Sequence, residues 1–534
     1  MATQNPCFGN EEWSSLPAGR TLPPLSSTLV LWFSMSDRIH HLLQQQAERQ
    51  PQAIFLYEES GATVRYGEMW ARVQAAREWL AGQGVQPGDR VAVVGENCAQ
   101  MIQALFACSL LGAWPLGLNA RLSPREIDVI ATHAEPALTL YTSHISSAAA
   151  SHARAAGARP ADAQVWNGDI EYALPAQRPA PETGDLAGQV ATLIYTSGTT
   201  GAPKGVMVPH RGLLHFARVS ATSRRLGPED ISYAALPMSH IFGIATVLLA
   251  TVHAGARLVL RSRYDPQDVL GALQAPGLSI LQGVPTMFTR LLAVAPEQGV
   301  PAPRLRYLYA GGAALDPTLK RQMENYFGLP LHHGYGITEY AGSLFITRAD
   351  APRDDCTAGY AVEGVELRLG SPDAGPPKAG EKGDILVRGP GVMLGYYRNP
   401  EQTAKALLPG GWLNTGDIGY VDEEGALFIA GRSKDLIIRS GFNVYPAEVE
   451  AVINAFPGVR MSAVVGRLEA DQNEEVVAFV EPQPGAPVDT DALMTHLRSQ
   501  LAPYKRPARI ISIEAMPTTV SGKILKQPLR ERLG

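Results

Sequence analysis

The residues with the most chemistry in their spacing are Tyr195-Thr196-Ser197-Gly198-Thr199-Thr200-Gly201-Ala202-Pro203-Lys204-Gly205. Residues 193–195 before them predict a strand, so the run is the turn that leaves it. Gly198 and Gly201 allow successive backbone N–H groups to point inward as an anion nest. The hydroxyls of Thr196, Ser197, Thr199 and Thr200 add donors, and Lys204 adds a cation. Together they suit a polyphosphate. The loop is not of the Walker A type, because Ala202-Pro203 rather than Gly precedes Lys204 and Gly205 rather than Ser or Thr follows it.

Four further segments follow in order: Tyr335-Gly336-Ile337-Thr338-Glu339, Gly411-Trp412-Leu413-Asn414-Thr415-Gly416-Asp417, Gly431-Arg432-Ser433-Lys434-Asp435 and Ser521-Gly522-Lys523-Ile524. With the loop at 195–205 this set resembles the ordered signature of the adenylate-forming superfamily, in its acyl-CoA synthetase and aryl-CoA ligase branch. The resemblance runs from about residue 36 to the end. It implies an enzyme that joins a carboxylic acid to ATP as an acyl-adenylate, releases pyrophosphate, and passes the acyl group to a thiol. An anion must approach a polyanion in the first step, so cations and fixed donors are needed around the phosphates.

The resemblance also implies roles. Thr338 donates to the α-phosphate, and Glu339, with Thr199, holds Mg²⁺ against phosphate oxygens. Tyr335 and Gly336 flank the adenine, and the turn Gly311-Gly312-Ala313 brings backbone close to the base. Asp417 accepts from the ribose hydroxyls, with Arg432 on the other side. Lys523 reaches between the carboxylate and the α-phosphate. His240, in Pro237-Met238-Ser239-His240-Ile241-Phe242-Gly243, closes over the carboxylate. Lys434 marks a hinge about which a small domain exchanges a lysine face for a thiol-receiving face.

Only eleven residues follow Lys523, so the thiol acceptor is expected from outside the chain, with coenzyme A the simplest choice. Gly441 and Phe442, in Ser440-Gly441-Phe442-Asn443, resemble the lining of the pantetheine path. Arg506, in Tyr504-Lys505-Arg506-Pro507, is a candidate cation for the CoA nucleotide, with a helix-end basic cluster as the alternative. For the acyl pocket the neighbours are Phe242, Pro285, Thr286, Met287, Gly312, Ala313 and Tyr340. That set is mostly apolar and holds no Arg fork, which favours a fatty or aromatic monoacid over short diacids. A carrier-protein acceptor and a non-catalytic nucleotide or acyl-adenylate sensor are the competing readings.

These residues need a scaffold that delivers them to one place. Strand patterns at 90–94, 114–116, 193–195, 279–281 and 307–309 alternate with helical ones such as 98–111. They predict an α/β protein with parallel-rich sheets covered by helices, and ligands at the carboxyl ends of strands. A helix carrying Ile39, Leu42, Leu43 and Ala47 is expected to be capped by Ser36 or Asp37. After about residue 434 the pattern predicts a small, mobile α+β domain: helices at 446–455 and 489–501, strands at 461–465, 476–480 and 509–513. The expected organisation is a disordered leader at 1–34, a large domain at 35–433 and a small one at 434–534.

Composition narrows the class. The chain has 534 residues, 45% hydrophobic and 18% charged, which excludes a mostly disordered protein. A net charge of −5 makes no electrostatic case for nucleic acid. Four scattered cysteines with no CxxC pair read as a reducing, cytoplasmic compartment and exclude a zinc knuckle. The apolar run at 241–256 is too short to span a membrane and is expected to be a buried element. Oligomeric state stays open, a homodimer included.

Overall fold

The computed structural model describes residues 38–196, 203–439, 442–469, 473–519 and 523–533. Parallel pairing needs long crossovers, and the helices between these short strands supply them. The main sheet is accordingly built on parallel pairings that run through Ile54–Tyr57, Arg257–Leu260, Ile231–Ala234, Ile280–Gly283, Tyr307–Gly311 and Leu331–Ile337. Antiparallel Gly342–Ile346 and Tyr360–Ala361 extend one edge and antiparallel Thr63–Arg65 the other, giving nine strands among the described residues. A second sheet, of seven, pairs Arg90–Gly95 in parallel with Trp114–Asn119 and Leu138–Tyr141, and Trp114–Asn119 with Val190–Thr196. Lys204–Pro209 closes one edge of it as the antiparallel partner of Val190–Thr196.

The expected elements are present, with shifted ends. The apolar helix is Ala99–Leu111, buried along nearly its whole length and stopped by left-handed Gly112. The first described helix, His40–Arg49, buries Leu42, Leu43 and Ala47 on one face, with Ile39 also buried. It begins on helical Ile39 without a side-chain cap. Ser36, Asp37 and the whole of the segment 1–34 lie outside the described residues. The apolar run at 241–256 is the buried element expected, but it opens as a π-helix, Phe242–Leu249, before becoming α-helical at Ala250–Ala254. π-Helical turns are rare and gather at functional sites.

The small domain packs helices Pro446–Asn454 and Thr490–Gln500 on a three-stranded sheet of Val459–Leu468, Glu474–Pro482 and Arg509–Ser512. Neighbouring residues on its strands face opposite layers. Val464, Val476, Ala478 and Val480 join one core with Val449, Ile453, Leu493 and Leu497. Val465, Val477 and Phe479 join another with Ile513, Met516 and Leu529. Both faces are covered, which is why these strands read as continuous apolar runs rather than alternating ones.

Candidate active site

The phosphate loop hangs from a strand pair. Thr196 ends one strand and Lys204 opens the next, and the two are directly opposite in register. Ser197, Gly198, Thr199 and Thr200, at the centre of the expected anion nest, lie outside the described residues. Lys204 Nζ donates to Gln402 Oε1 at 2.8 Å and stands 5.0 Å over the Tyr396 ring. The Tyr396 hydroxyl in turn donates to Glu339 Oε1 at 2.9 Å. One tyrosine thus ties the loop's cation to the expected metal-binding carboxylate. Burial, then the charge of Glu339, pushes the Tyr396 hydroxyl far up, so it stays protonated and a donor.

Thr338 and Glu339 sit in a 3₁₀ turn, Thr338–Tyr340, at the carboxyl end of strand Leu331–Ile337. Ala341 closes the turn in the left-handed region at φ 58°. A side chain seldom adopts that conformation, and such positions collect at functional sites. Gly336, one residue pair earlier, lies where an added Cβ would stand 2.5 Å from Gly342 O, so backbone packs on backbone there.

Asp417 and Arg432, the pair expected at the ribose, are direct partners across the strand pair Trp412–Val421 and Leu427–Arg432. Arg432 Nε is 3.2 Å from Asp417 Oδ1, and the Tyr335 hydroxyl donates to Oδ2. Asp417 is only 3% exposed. Burial pushes its carboxyl up, while Arg432 and the Tyr335 hydrogen bond pull it back. Tyr335 therefore orients the carboxylate in addition to offering the ring that sequence suggests.

Lys523 arrives from the small domain. Thr519 N–H donates to Lys523 O at 2.7 Å, and Thr519 Oγ1 accepts from Lys523 N–H at 3.0 Å, which fixes the Lys523 backbone. A Cβ built on Gly312 would be 3.4 Å from Val284 Cγ1, 3.6 Å from Phe242 Cδ1 and 3.8 Å from Lys523 Cε. Gly312 has φ 78°, so the turn Gly311-Gly312-Ala313 needs glycine for its backbone as well as for this convergence. Burial, then Arg432, lowers the Lys523 ammonium from its ordinary value, and Asp417 and Glu339 partly restore it.

His240 completes the wall. Its Nδ1 accepts the Phe242 N–H at 3.2 Å, so the neutral ring carries its proton on Nε2. Burial, then the Lys523 charge, holds its pKa down to about 3, so the ring is neutral. Ala313 O lies 3.3 Å from His333 Nε2, which fixes the far end of the glycine turn. His240, the turn Gly311-Gly312-Ala313, Thr338 and Glu339 lie at the carboxyl ends of main-sheet strands, where the topology predicted a ligand.

Two sequence readings change, those of Arg506 and Tyr340. Arg506 is not free for a nucleotide: it donates to Leu501 O at 2.8 Å and Arg498 O at 2.9 Å, closing the end of helix Thr490–Gln500, and Lys505 pairs with Glu448. This is the helix-end cluster that the sequence left as the alternative. Tyr340 does not line the acyl pocket but is buried against the chain at Gly389 and Gly391. Phe442 is 55% exposed and stacks on Tyr504 at 4.7 Å, apart from the adenylation cluster, and Gly441 lies outside the described residues. Tyr396 and Gln402 were not singled out by sequence. Their partners lie 57 and 198 residues away, and only the Gly-Tyr-Tyr run at 395–397 hints at them.

Residues 43–397 match the family model of the AMP-binding enzyme, and residues 448–523 that of the AMP-binding enzyme C-terminal domain. The chain belongs to this family, in the acyl- and aryl-CoA ligase branch of the adenylate-forming superfamily. It is similar to a feruloyl-CoA synthase of Amycolatopsis sp, with 36% identity over 476 residues, 89% of this chain and 95% of that protein. It is similar to a 2-succinylbenzoate–CoA ligase of Geobacillus kaustophilus, with 34% identity over 496 residues, 91% and 96% of the two chains. Among solved structures, o-succinylbenzoate coenzyme A synthetase from Bacillus subtilis, in complex with ATP and magnesium ion, matches with a TM-score of 0.78 at 30% identity, covering 92% of this chain and 99% of that one. The expected large and small domains of an α/β fold are thereby borne out.

Proposed function

We propose that this protein is an AMP-forming acid–thiol ligase that activates an aromatic carboxylic acid and transfers it to coenzyme A. The observation that carries this reading is the insertion of Lys523 beside Gly312, in the company of Glu339, Asp417 and Arg432. A carboxylate and an α-phosphate repel each other, and a buried ammonium between them offsets that repulsion while aligning the attack. A carboxylate oxygen bonds to the α-phosphorus as its bond to pyrophosphate breaks. Thr338 donates to the phosphate, Asp417 holds the ribose, and the His240 Nε2–H steadies the acid.

Among the described residues no group of three or more His, Cys, Asp or Glu can hold a metal by itself. Mg²⁺ fits Glu339 nonetheless, because this ion takes most of its ligands from phosphates and water and needs only one or two carboxylates. Tyr396 engages Oε1, which leaves Oε2 for the ion. When bound, Mg²⁺ neutralises charge on the phosphates.

In the second half-reaction the CoA sulfur bonds to the acyl carbon, AMP departs with the electron pair of the C–O bond, and the thiol proton passes to solvent. Lys523 occupies the site of the first step, so the small domain turns about the short 3₁₀ segment Ser433–Asp435 before the thiol enters. A boundary near Lys434, between a large domain from residue 35 and a small one, agrees with that hinge. An aromatic acid is favoured by the relatives' names and by the walls of Phe242 and Val284 near Lys523. The test is pyrophosphate release on mixing the protein with ATP, Mg²⁺ and a panel of fatty and aromatic acids, with and without CoA. Release with an acid, and AMP plus thioester only when CoA is added, is the expected result. No release with any acid would leave the nucleotide-sensor reading in its place.

A further inference from the structure

Between the two sheets a single amide side chain holds three backbone groups. Asn97 follows strand Arg90–Gly95 of the second sheet and is 4% exposed. Its Nδ2 donates to Leu236 O at 2.9 Å and to Ala234 O at 3.4 Å, and its Oδ1 accepts from Met238 N–H at 2.8 Å. Those partners lie where the chain leaves strand Ile231–Ala234 of the main sheet. Both amide hydrogens and the amide oxygen are thus engaged, and the partners dictate which way the amide points. Satisfying one stray carbonyl would need only one donor. The Asn97 amide instead grips the chain on both sides of Pro237.

That grip is one step from His240. Pro237 O accepts the His240 N–H at 3.0 Å, and His240 O accepts the Ile244 N–H at 3.1 Å. A Cβ built on Gly243 would stand 2.2 Å from Pro237 O, so the start of the π-helix rests directly on that peptide. Pro237 itself has a ring-locked φ and no N–H to offer. Gly117, in the neighbouring strand Trp114–Asn119, presents bare backbone to the same segment. A Cβ there would be 3.0 Å from Ser239 Cα and 3.3 Å from Met238 O. Residues 236–240 are therefore seated on the second sheet by Asn97 and Gly117, and the last of them feels the Lys523 charge.

We propose that Asn97 is a positioning residue for acid activation: by clamping Leu236 and Met238 it sets the backbone from which His240 reaches the reacting carboxylate. The inference rests on the acid–thiol ligase reading, in which the His240 Nε2–H steadies the acid, and adds to it a residue from the other sheet. Attack on the α-phosphate demands alignment, and a displacement of about 1 Å costs on the order of 100-fold in rate. An amide with all of its hydrogen-bonding groups on one backbone segment resists such a displacement, because each lost bond leaves a buried polar group unpaired. Asn97 acts on the acid only through His240.

The test is a double-mutant cycle of Asn97→Ala with His240→Ala. It is read as kcat/KM for pyrophosphate release, using the acid of the fatty and aromatic panel that wild type turns over fastest. Asn97→Ala alone should lower this value by about ten-fold, with the KM for ATP changed by about two-fold or less. With His240 already replaced, the same change should cost about two-fold or less, because the residue it positions is gone. Gly117→Ala disturbs the same segment by crowding it and should show the same dependence on His240. It reads the cycle if Asn97→Ala fails to fold. An equal loss in both His240 backgrounds would make Asn97 purely structural and overturn the inference, as would unchanged rates in both single variants. Either result, with wild type active, leaves the ligase reading intact. No pyrophosphate from wild type with any acid of the panel would overturn both.

Discussion

Glu339 shows how much of the chemistry depends on a neighbour. A carboxylate proposed to hold Mg²⁺ at a turn has two oxygens and several rotamers, and the Tyr396 hydroxyl at 2.9 Å fixes one of each. A hydrogen bond to a charged group contributes about 1.5–3 kcal/mol, which is enough to select one rotamer. Tyr396 is a positioning residue in this account, since it acts through Glu339. Removing only its hydroxyl, in Tyr396→Phe, should raise the Mg²⁺ concentration for half-maximal pyrophosphate release by about five-fold or more, with the ring still beneath Lys204. A titration of rate against Mg²⁺ at saturating ATP reads this directly. An unchanged Mg²⁺ dependence with a lower kcat would mean that the hydroxyl serves the fold and not the metal.

At the scale of elements, the glycine turn after strand Tyr307–Gly311 is the point where large and small domains touch the same spot. Gly312→Ala adds a methyl group 3.4 Å from Val284 and 3.8 Å from Lys523, at φ 78°. The left-handed backbone costs a non-glycine residue about 1–2 kcal/mol, and the Lys523 stem must give way as well. Adenylation should fall by about ten-fold or more while the melting temperature drops by only a few degrees. Calorimetry beside the pyrophosphate assay separates the two losses, and a fall in stability alone would remove Lys523 from this contact. The same segment shows what a sequence can tell. Gly311-Gly312-Ala313 was legible because a strand, a double glycine and a following helix leave few conformations. The helix Thr490–Gln500 was legible as the segment 489–501, and in the structure Asp489 caps it, accepting from Asp491 and Ala492 N–H at 3.0 Å. Tyr396, Gln402 and Asn97 were not legible, since each acts through a contact between distant segments that no local pattern encodes. The π-helix at Phe242–Leu249 was legible only as a buried apolar element, because hydrophobicity fixes burial and not the hydrogen-bond period. Arg506 was placed wrongly because a cation at a helix end reads the same whether it caps carbonyls or waits for a phosphate.

At the scale of the whole molecule, two properties follow from how much is buried. Several histidines are enclosed, with His40 and His332 each 5% exposed and held down to about 3 and about 4 by burial. A folded pKa below the unfolded value means that the unfolded chain binds more protons. The stability these neutral rings contribute is complete above about pH 6.5 and is lost as pH falls toward the folded values. Each such group costs about 1.4 kcal/mol per pH unit inside that window, so melting temperature should fall steadily from pH 7 to pH 5. A flat profile would mean that these rings become protonated without unfolding. The second property is the docking of the small domain. Lys382 lies 4.3 Å over the Tyr445 ring beyond the hinge, Ser433 donates to Asp384 at 2.7 Å, and Lys523 is inserted among Arg432, Asp417 and Glu339. On the proposed mechanism this is the arrangement for the first half-reaction, and it is undone for the second. The most direct measurement is therefore of both half-reactions in Lys523→Ala. Acid-dependent pyrophosphate release should be lost by about a thousand-fold, since a cation aimed at developing charge has been removed, while thioester formation from supplied acyl-adenylate and CoA continues near the wild-type rate. Equal loss of both half-reactions would contradict the account, because Lys523 would then serve a single fixed site and not one of two alternating arrangements.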